Sequence, residues 1–196
     1  LIGNPDEISK EFDLSKCKIV NPSDCDEYED MIKLFVARRK GKATIEQAKE
    51  LMLDINYFGT MLVYMGIADG LVSGATRSTG ETVRPALQII KTKPGISRTF
   101  GYFLMVRDDQ KLIFSDCAIN TNPTAEMLAE FAVESAKAAE MFGISPKVAL
   151  LSFSTNGSAD TEETQKVRLA TKLAIESNSG YEIDGEMQFD AAFVPS

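Results

Sequence analysis

Apolar residues recur at helical spacing in some stretches of the chain and are grouped into short segments in others. The helical pattern covers residues 24–40, 44–53, 56–65, 79–91, 124–141 and 161–177, and residues 69–74, 103–106, 112–114, 147–153 and 181–189 are typical of strands. Strands that alternate with helices predict an α/β fold with mostly parallel sheets flanked by helices.

Several of these helices have recognisable first residues. Thr44 and Gln47 have the spacing of a capping box, and Asp24 precedes acidic residues that favour a helix N-terminus. Asn122 or Thr124 is expected to cap the helix over residues 124–141.

A breaker at Lys93, Pro94 and Gly95 predicts a domain boundary. It assigns residues 1–94 to part of a first α/β domain and residues 95–196 to a second. Immediately after it, the apolar runs at 103–106 and 112–114 flank polar residues, which predicts a hairpin.

The composition is that of an ordinary globular protein. The 196 residues have a formal net charge of −8, which argues against general binding to nucleic acids or anionic membranes, because both require a basic surface. No apolar run is long enough for a membrane helix, and no signal peptide is recognisable. Both ends of the sequence look like elements that are cut short, so we expect a piece of a longer chain.

Cysteine is scarce and histidine is absent. Cys17, Cys25 and Cys117 are scattered and form no C-x-x-C motif, so they predict neither a disulfide framework nor a zinc site and fit a reducing cytoplasm. Without histidine, a catalytic base must be a carboxylate, lysine, tyrosine or cysteine.

Two segments rich in hydroxyl groups and small residues follow predicted strands and precede predicted helices. They are residues 72–82, with Ser73 and Thr79, and residues 150–159, with Ser154 and Thr155. Helix N-termini attract phosphate, and ligands in open α/β sheets bind at the carboxyl ends of strands. Each segment alone can equally be a well-capped turn, but the pair predicts a phosphate-bearing ligand between them.

Arginines are candidate phosphate ligands because a guanidinium can bind phosphate through two hydrogen bonds. From the residues alone, Arg38 is better explained as a solvated helix end that complements the helix dipole. Arg84 lies beside the first hydroxyl-rich segment, and Arg77 lies inside it, where an exposed turn residue is the simpler interpretation.

The segment 114–120 offers a further group of polar side chains. Asp116 and Asn120 either hold a ligand or cap the following helix, and the pattern favours capping. Cys117 is interpreted as a small buried apolar residue, since no basic residue adjoins it in sequence.

Six strings in the chain resemble those of the phosphate acetyltransferase family, and they follow the family's order over nearly the whole sequence. The strings are NYFGTMLV (56–63), ADGLVSGA (68–75), TVRPALQIIKTKPG (82–95), DCAIN (116–120), ALLSFST (149–155) and QFDAA (188–192).

This resemblance implies the reversible conversion of acetyl phosphate and coenzyme A to acetyl-CoA and phosphate. It also implies two α/β domains with a cleft between them, a homodimer, and transfer without a metal or prosthetic group, with coenzyme A as a substrate rather than a cofactor. A base removes the thiol proton, the thiolate attacks the acetyl carbonyl, and arginine and hydroxyl groups stabilise the developing charge.

The resemblance also assigns residues. Arg38 and Arg84 match two family arginines that bind coenzyme A and phosphate, which reverses the interpretation of Arg38 from its helix position. Ser73, Thr79, Ser154 and Thr155 lie in segments that line the family's cleft.

The chain also departs from the family pattern. Arg77 stands where the family usually has histidine, and Glu81 stands where it often has aspartate. The family's base and a Ser-Arg pair lie beyond residue 196, so no catalytic residue is assigned and the chain alone is expected to be inactive. The alternatives are a phosphate butyryltransferase and a non-catalytic module that binds coenzyme A.

Overall fold

The computed structural model describes residues 1–10, 13–177 and 179–194, and the chain divides into two compact units, Leu1–Thr92 and Lys93–Ser196. The division lies next to the breaker at Lys93, Pro94 and Gly95. The assignment of residues 1–94 and 95–196 to separate domains stays a prediction, because compactness does not show that either part folds alone.

The described part of the first unit contains five helices. They are α1 (Pro5–Ile8), α2 (Tyr28–Arg39), α3 (Ile45–Leu51), α4 (Ile55–Tyr64) and α5 (Thr79–Ile89). The apolar faces of α2, α3, α4 and α5 share one core, in which Phe35, Phe58 and Met61 are fully buried. The rings of Phe35 and Tyr57 meet edge to face, with centroids 5.9 Å apart.

Capping residues determine where several of these helices begin. Thr44 and Gln47 form the predicted capping box of α3. The prediction for α2 was wrong at its start: the helix begins at Tyr28, and Glu27 is the N-cap. Asp24 lies earlier in the turn, where its backbone N–H donates to the carbonyl oxygen of Asn21.

The predicted strand over residues 69–74 is wrong. These residues form an extended but unpaired loop, and the only β-pairing in the described part of the first unit is an isolated bridge between Ile2 and Val20. A strand requires a neighbour for its backbone hydrogen bonds, and no described residue provides one here.

The second unit contains both strands and helices. Its elements are β1 (Tyr102–Arg107), β2 (Gln110–Ser115), α6 (Ala125–Met141), β3 (Lys147–Leu151), α7 (Glu162–Glu176), β4 (Glu182–Met187) and α8 (Phe189–Phe193). Strands β1 and β2 form the predicted antiparallel hairpin, and β3 pairs with β4 in parallel. Thr124 caps α6, which settles the choice between Asn122 and Thr124.

Alanines of α6 and α7 pack against β3 to form the core of this unit. Strand β3 is less buried than its sequence predicts: Leu150 is buried, but Leu151 is 48% exposed. Successive side chains of a strand point to opposite faces, and only one face of β3 is covered by the helices among the described residues.

Candidate functional site

The loop over residues 69–78, which precedes α5, contacts α4 at two points. The hydroxyl of Ser73 donates a hydrogen bond to Oδ1 of Asn56, which is 1% exposed, while Nδ2 of Asn56 has no partner among the described residues. A Cβ on Gly59 would lie only 2.8 Å from Leu71, so glycine permits the loop to pack tightly on α4. The rest of the loop is exposed, including the backbone around Ser73.

The N-terminus of α5 carries a carboxylate of the chain itself. The N–H of Glu81 donates to Oγ of Ser78 at 3.3 Å, and the N–H of Ser78 donates to Oε2 of Glu81 at 2.9 Å. The hydrogen bonds from Ser78 and the nearby charge of Arg77 lower the pKa of Glu81. Glu81 therefore supplies the anion that a helix N-terminus attracts.

Arg77 connects the N-termini of α4 and α5. Its Nη2 lies 3.3 Å from Oδ2 of Asp54, the N-cap of α4, and its Nη1 lies 4.0 Å from Oε1 of Glu81. The sequence left open whether Arg77 binds phosphate or faces solvent. In the structure its guanidinium faces two carboxylates, and the side chain is 41% exposed.

Arg84 and Thr79 lie on the exposed surface of α5. Within residues 1–10, 13–177 and 179–194, neither side chain takes part in an ion pair or side-chain hydrogen bond. Burial raises the pKa of Tyr57, and the positive charge of Arg84 opposes this rise. Arg84 is therefore a cation near the Tyr57 hydroxyl, and its own hydrogen-bonding groups remain available to a ligand.

Arg38 has a structural role that its position in α2 does not indicate. Its Nε donates to the carbonyl oxygen of Ile89 at 2.6 Å and its Nη2 to that of Ile90 at 2.9 Å, while the guanidinium carbon lies 5.2 Å from the centroid of the Tyr64 ring. The side chain thus satisfies two carbonyl groups at the C-terminus of α5. The positive charge of Arg38 is also the main cause of the lowered pKa of Lys91.

Within the second hydroxyl-rich segment, residues 150–159, the loop over residues 152–159 surrounds a buried carboxylate. Glu186 on β4 is 1% exposed, and its Oε1 accepts hydrogen bonds from the Ser154 hydroxyl at 2.8 Å and from the Gly157 N–H at 3.0 Å. Its Oε2 lies 3.1 Å from Nε of Arg168 on α7. The donors of this loop thus bind a carboxylate of the chain itself, and the predicted phosphate-bearing ligand stays a prediction.

Ser154 and Thr155 both have partners in this network. Ser154 is fully buried, and besides donating to Glu186 its Oγ accepts from the N–H of Ala159 at 3.0 Å. Thr155 is partly exposed, and its Oγ1 accepts from the N–H of Gln188 at 2.9 Å. Of the two predicted ligand residues, Thr155 is the one that a ligand can reach directly.

Arg168 and Glu186 were not found by sequence reasoning. Arg168 also pairs with Asp160 at 2.8 Å, so it joins the loop to α7. The sequence does contain one indication of this pair: Glu186 lies directly after Gly185 inside a predicted strand. A strand covered by helices rarely accommodates a charge without a partner, so such a glutamate predicts a buried basic partner.

The prediction that Asp116 and Asn120 cap the following helix was wrong. Thr124 caps α6, whereas Nδ2 of Asn120 donates to Oδ1 of Asp116 at 3.2 Å and to the carbonyl oxygen of Thr99 at 3.1 Å. The prediction that Cys117 is buried was also wrong: it is exposed and donates to the carbonyl oxygen of Phe114. Asp116 adopts a left-handed conformation directly after β2 ends.

A cavity of about 640 Å³ lies within the second unit, between β2, α6, β3 and α8. Most of its lining is apolar, and the hydroxyls of Ser115 and Ser135 form a hydrogen-bonded pair there.

Within the described residues, no group of three or more metal-ligating side chains is arranged to hold a metal ion. In the same part of the chain, no helix combines the length and the apolarity needed to cross a membrane.

The chain is similar in sequence to proteins of known activity. A family model described as phosphate acetyl/butaryl transferase matches residues 1–196. The phosphate acetyltransferase of Bacillus subtilis is 57% identical over 100% of this chain and 62% of its own length, and that of Staphylococcus epidermidis is 55% identical over 100% of this chain and 63% of its own. The chain thus spans about three-fifths of the length of the curated relatives it matches.

Solved structures give the same result. A phosphotransacetylase from Staphylococcus aureus superposes with a TM-score of 0.86 at 54% identity, covering 99% of this chain and 62% of the other. A phosphotransacetylase from Streptococcus pyogenes superposes with a TM-score of 0.88 at 52% identity, covering 99% and 61%. These similarities confirm the predicted α/β fold class.

Proposed function

Since the chain belongs to the phosphate acetyl/butaryl transferase family, we propose that it forms part of an enzyme that transfers an acetyl group between acetyl phosphate and coenzyme A. The observation that carries this proposal is the 57% identity to a phosphate acetyltransferase over the whole chain. The family description covers acetyl and butyryl transfer, and the names of the similar proteins favour acetyl.

The proposed reaction requires a thiolate and a stabilised leaving phosphate. A free thiol has a pKa of about 8.5, so a base must accept the coenzyme A proton near neutral pH. The thiolate then attacks the acetyl carbonyl, the bond between the carbonyl carbon and the phosphate oxygen breaks, and phosphate leaves. Coenzyme A is a substrate in this scheme, and the transfer uses no separate cofactor or metal.

Arg84 is the strongest candidate of this chain for binding the phosphate or coenzyme A. It is exposed, it is free of partners among the described residues, and it lies on the helix that follows the Ser73 loop. A guanidinium binds phosphate oxygens with two parallel hydrogen bonds. Ser73 and Thr79 are proposed as additional hydroxyl contacts on the same unit.

Arg38, Ser154 and Thr155 are proposed substrate contacts with structural roles of their own. Two donors of Arg38 are used by α5, which leaves its other N–H groups for a ligand. Thr155 is accessible, whereas buried Ser154 would act by holding the loop in place.

A chimera tests the function directly. This chain replaces the matching part of the Bacillus subtilis relative, and formation of acetyl-CoA from acetyl phosphate and coenzyme A is followed spectroscopically, with butyryl phosphate as the competing substrate. We expect turnover with a preference for acetyl phosphate. A preference for butyryl phosphate supports the butyryltransferase alternative, and no turnover contradicts the proposal.

Arg84→Ala in the chimera is expected to lower kcat/KM at least tenfold. The loss of one hydrogen bond to a charged group costs roughly 1.5–3 kcal/mol, and about 1.4 kcal/mol corresponds to a factor of ten. Arg107→Ala, at the end of β1, is the matched control and is expected to leave kcat/KM unchanged. Equal values for Arg84→Ala and the unmodified chimera would contradict the role of Arg84.

The chain alone is proposed to turn over little substrate, because the resemblance places the base outside the matched strings. Calorimetry of the chimera with coenzyme A separates the remaining alternatives: binding by a chimera that shows no turnover supports a non-catalytic module. We also propose a homodimer in the cytoplasm, and analytical ultracentrifugation of the chimera tests the dimer.

A further inference from the structure

The loop over residues 152–159 has the backbone of an anion-binding site. Asn156 and Gly157 are consecutive left-handed residues, with φ of 49° and 79°. Backbone N–H groups at such a tight turn point into its concave side, where an anion can accept hydrogen bonds from them. Here the N–H of Asn156 donates to the backbone carbonyl oxygen of Glu186 at 3.2 Å, and that of Gly157 donates to its carboxylate at 3.0 Å.

The carboxylate of Glu186 has partners from two elements. Ser154 and Gly157 of the loop donate to Oε1, and Arg168 of α7 faces Oε2. Among the residues that the structure describes, the further charged group in contact with this network is Asp160, which pairs with Arg168. Burial by itself raises the pKa of Glu186, but the hydrogen bonds from Gly157 and Ser154 and the charge of Arg168 lower it overall.

Glu186 is also held firmly by the backbone that precedes it. Gly185 has a φ of 148°, and a Cβ at this position would lie 2.7 Å from the carbonyl oxygen of Leu150 and 2.9 Å from Oγ1 of Thr171. Only glycine permits β4 to approach β3 and α7 this closely. The backbone before Glu186 is therefore held close to β3 and α7, and the carboxylate lies within hydrogen-bonding distance of the 152–159 loop.

We propose that Glu186 is a positioning residue: its carboxylate occupies the anion site of the 152–159 loop and thereby fixes Ser154 and presents Thr155 to the substrates. This role rests on the proposed function. Because the N–H of Gly157 and the hydroxyl of Ser154 already bind Glu186, a substrate phosphate does not use them. The loop contributes to binding through the partly exposed side chain of Thr155, whose hydroxyl also contacts Gln188.

The first arm of the test measures the loop itself in the 196-residue chain. In Glu186→Gln, an uncharged amide replaces the carboxylate between its donors, and amide hydrogen exchange of Gly157 by NMR is expected to accelerate at least tenfold. Glu182→Gln on the same strand, whose exposed side chain pairs with Lys147, is the matched control and is expected to leave this exchange unchanged. Unaltered exchange at Gly157 in Glu186→Gln overturns the proposal.

Unfolding by urea at several pH values shows whether the variant is folded and whether the charge matters. The folded pKa of Glu186 lies below its ordinary value of 4.5, so its ionised form stabilises the fold above that pH, and this contribution is lost as the pH falls through the folded pKa. The difference in stability between the unmodified chain and Glu186→Gln is therefore expected to shrink below pH 4.5. A difference independent of pH overturns the role of the charge.

The second arm measures kinetics in the chimera. A merely structural defect lowers the amount of folded enzyme and leaves KM unchanged, whereas loss of positioning is expected to raise KM for a substrate at least tenfold in Glu186→Gln. The double variant Glu186→Gln with Arg168→Gln also removes the positive charge that faced Glu186, and it is expected to recover folding but not KM.

The two proposals fail in different ways. No turnover by the unmodified chimera overturns the proposed function and the positioning role with it. Normal KM in Glu186→Gln, with an active unmodified chimera, overturns the positioning role alone.

Discussion

At the scale of single residues, Arg38 shows that a side chain of one helix can cap the end of another. Its sequence position at the end of α2 suggests compensation of that helix's own dipole, and the family resemblance suggests a ligand. The structure shows that it binds the last carbonyl groups of α5, more than fifty positions further along the chain. Such a partner is not visible in a local pattern.

Arg38→Ala is expected to lower the free energy of unfolding by roughly 1–2 kcal/mol. The variant loses two charge-assisted hydrogen bonds and a cation–π contact with Tyr64. Because the Arg38 side chain is partly exposed, these contacts contribute less to the free energy of unfolding than buried ones would. Urea denaturation of the chain measures this. Arg39→Ala is the neighbouring control and is expected to change stability by less than about 0.5 kcal/mol; equal effects of the two substitutions would contradict the structural role.

The two hydroxyl-rich segments show what their composition predicts and what it does not. Both bind an anion, and in both the anion is a glutamate of the chain, Glu81 in the first and Glu186 in the second. Glu81 is three residues from its partner Ser78, so the capping box was readable from the sequence. Glu186 is 32 positions from Ser154, and no local spacing reveals such a pair.

At the scale of elements, predictions succeeded where the controlling interactions are local. Thr44 and Gln47 position the start of α3, and the short turn between β1 and β2 produces the hairpin. The segment 69–74 has the apolar residues of a strand but no partner, and strand pairing is a non-local property. The sequence therefore predicts the helices and the hairpin better than the isolated strand segments.

Ser78→Ala is expected to destabilise the chain by about 1 kcal/mol through loss of the α5 cap. Thermal unfolding measures the effect, with Thr79→Ala as the matched control because that neighbouring hydroxyl is exposed and caps nothing. Thr79→Ala is expected to retain the stability of the unmodified chain. If Ser78→Ala also retains it, the capping box contributes nothing measurable to α5.

At the scale of the whole molecule, each unit has its own buried core, one around Phe35 and Phe58 and the other around the alanines of α6 and α7. The alternation of helices and strands was sufficient to predict the α/β class. It was not sufficient to predict that the described strands form only two-stranded sheets, one antiparallel and one parallel, because sheet order depends on contacts between distant segments.

The breaker between the units provides a test of the predicted domain boundary. Residues 91–95 are all exposed and belong to no helix or strand, and a protease requires an accessible segment that can extend into its active site. Trypsin does not readily cleave before proline, so the first cuts in this region are expected after Lys91 and Arg98 and not after Lys93. Cleavage there is expected to precede cleavage after Lys137 and Lys172, which lie within α6 and α7.

Mass spectrometry of a time course identifies the sites, and circular dichroism of the separated products shows whether each retains helix. Simultaneous cleavage within α6 and α7, or loss of structure in both products, would contradict a division into two domains at this breaker.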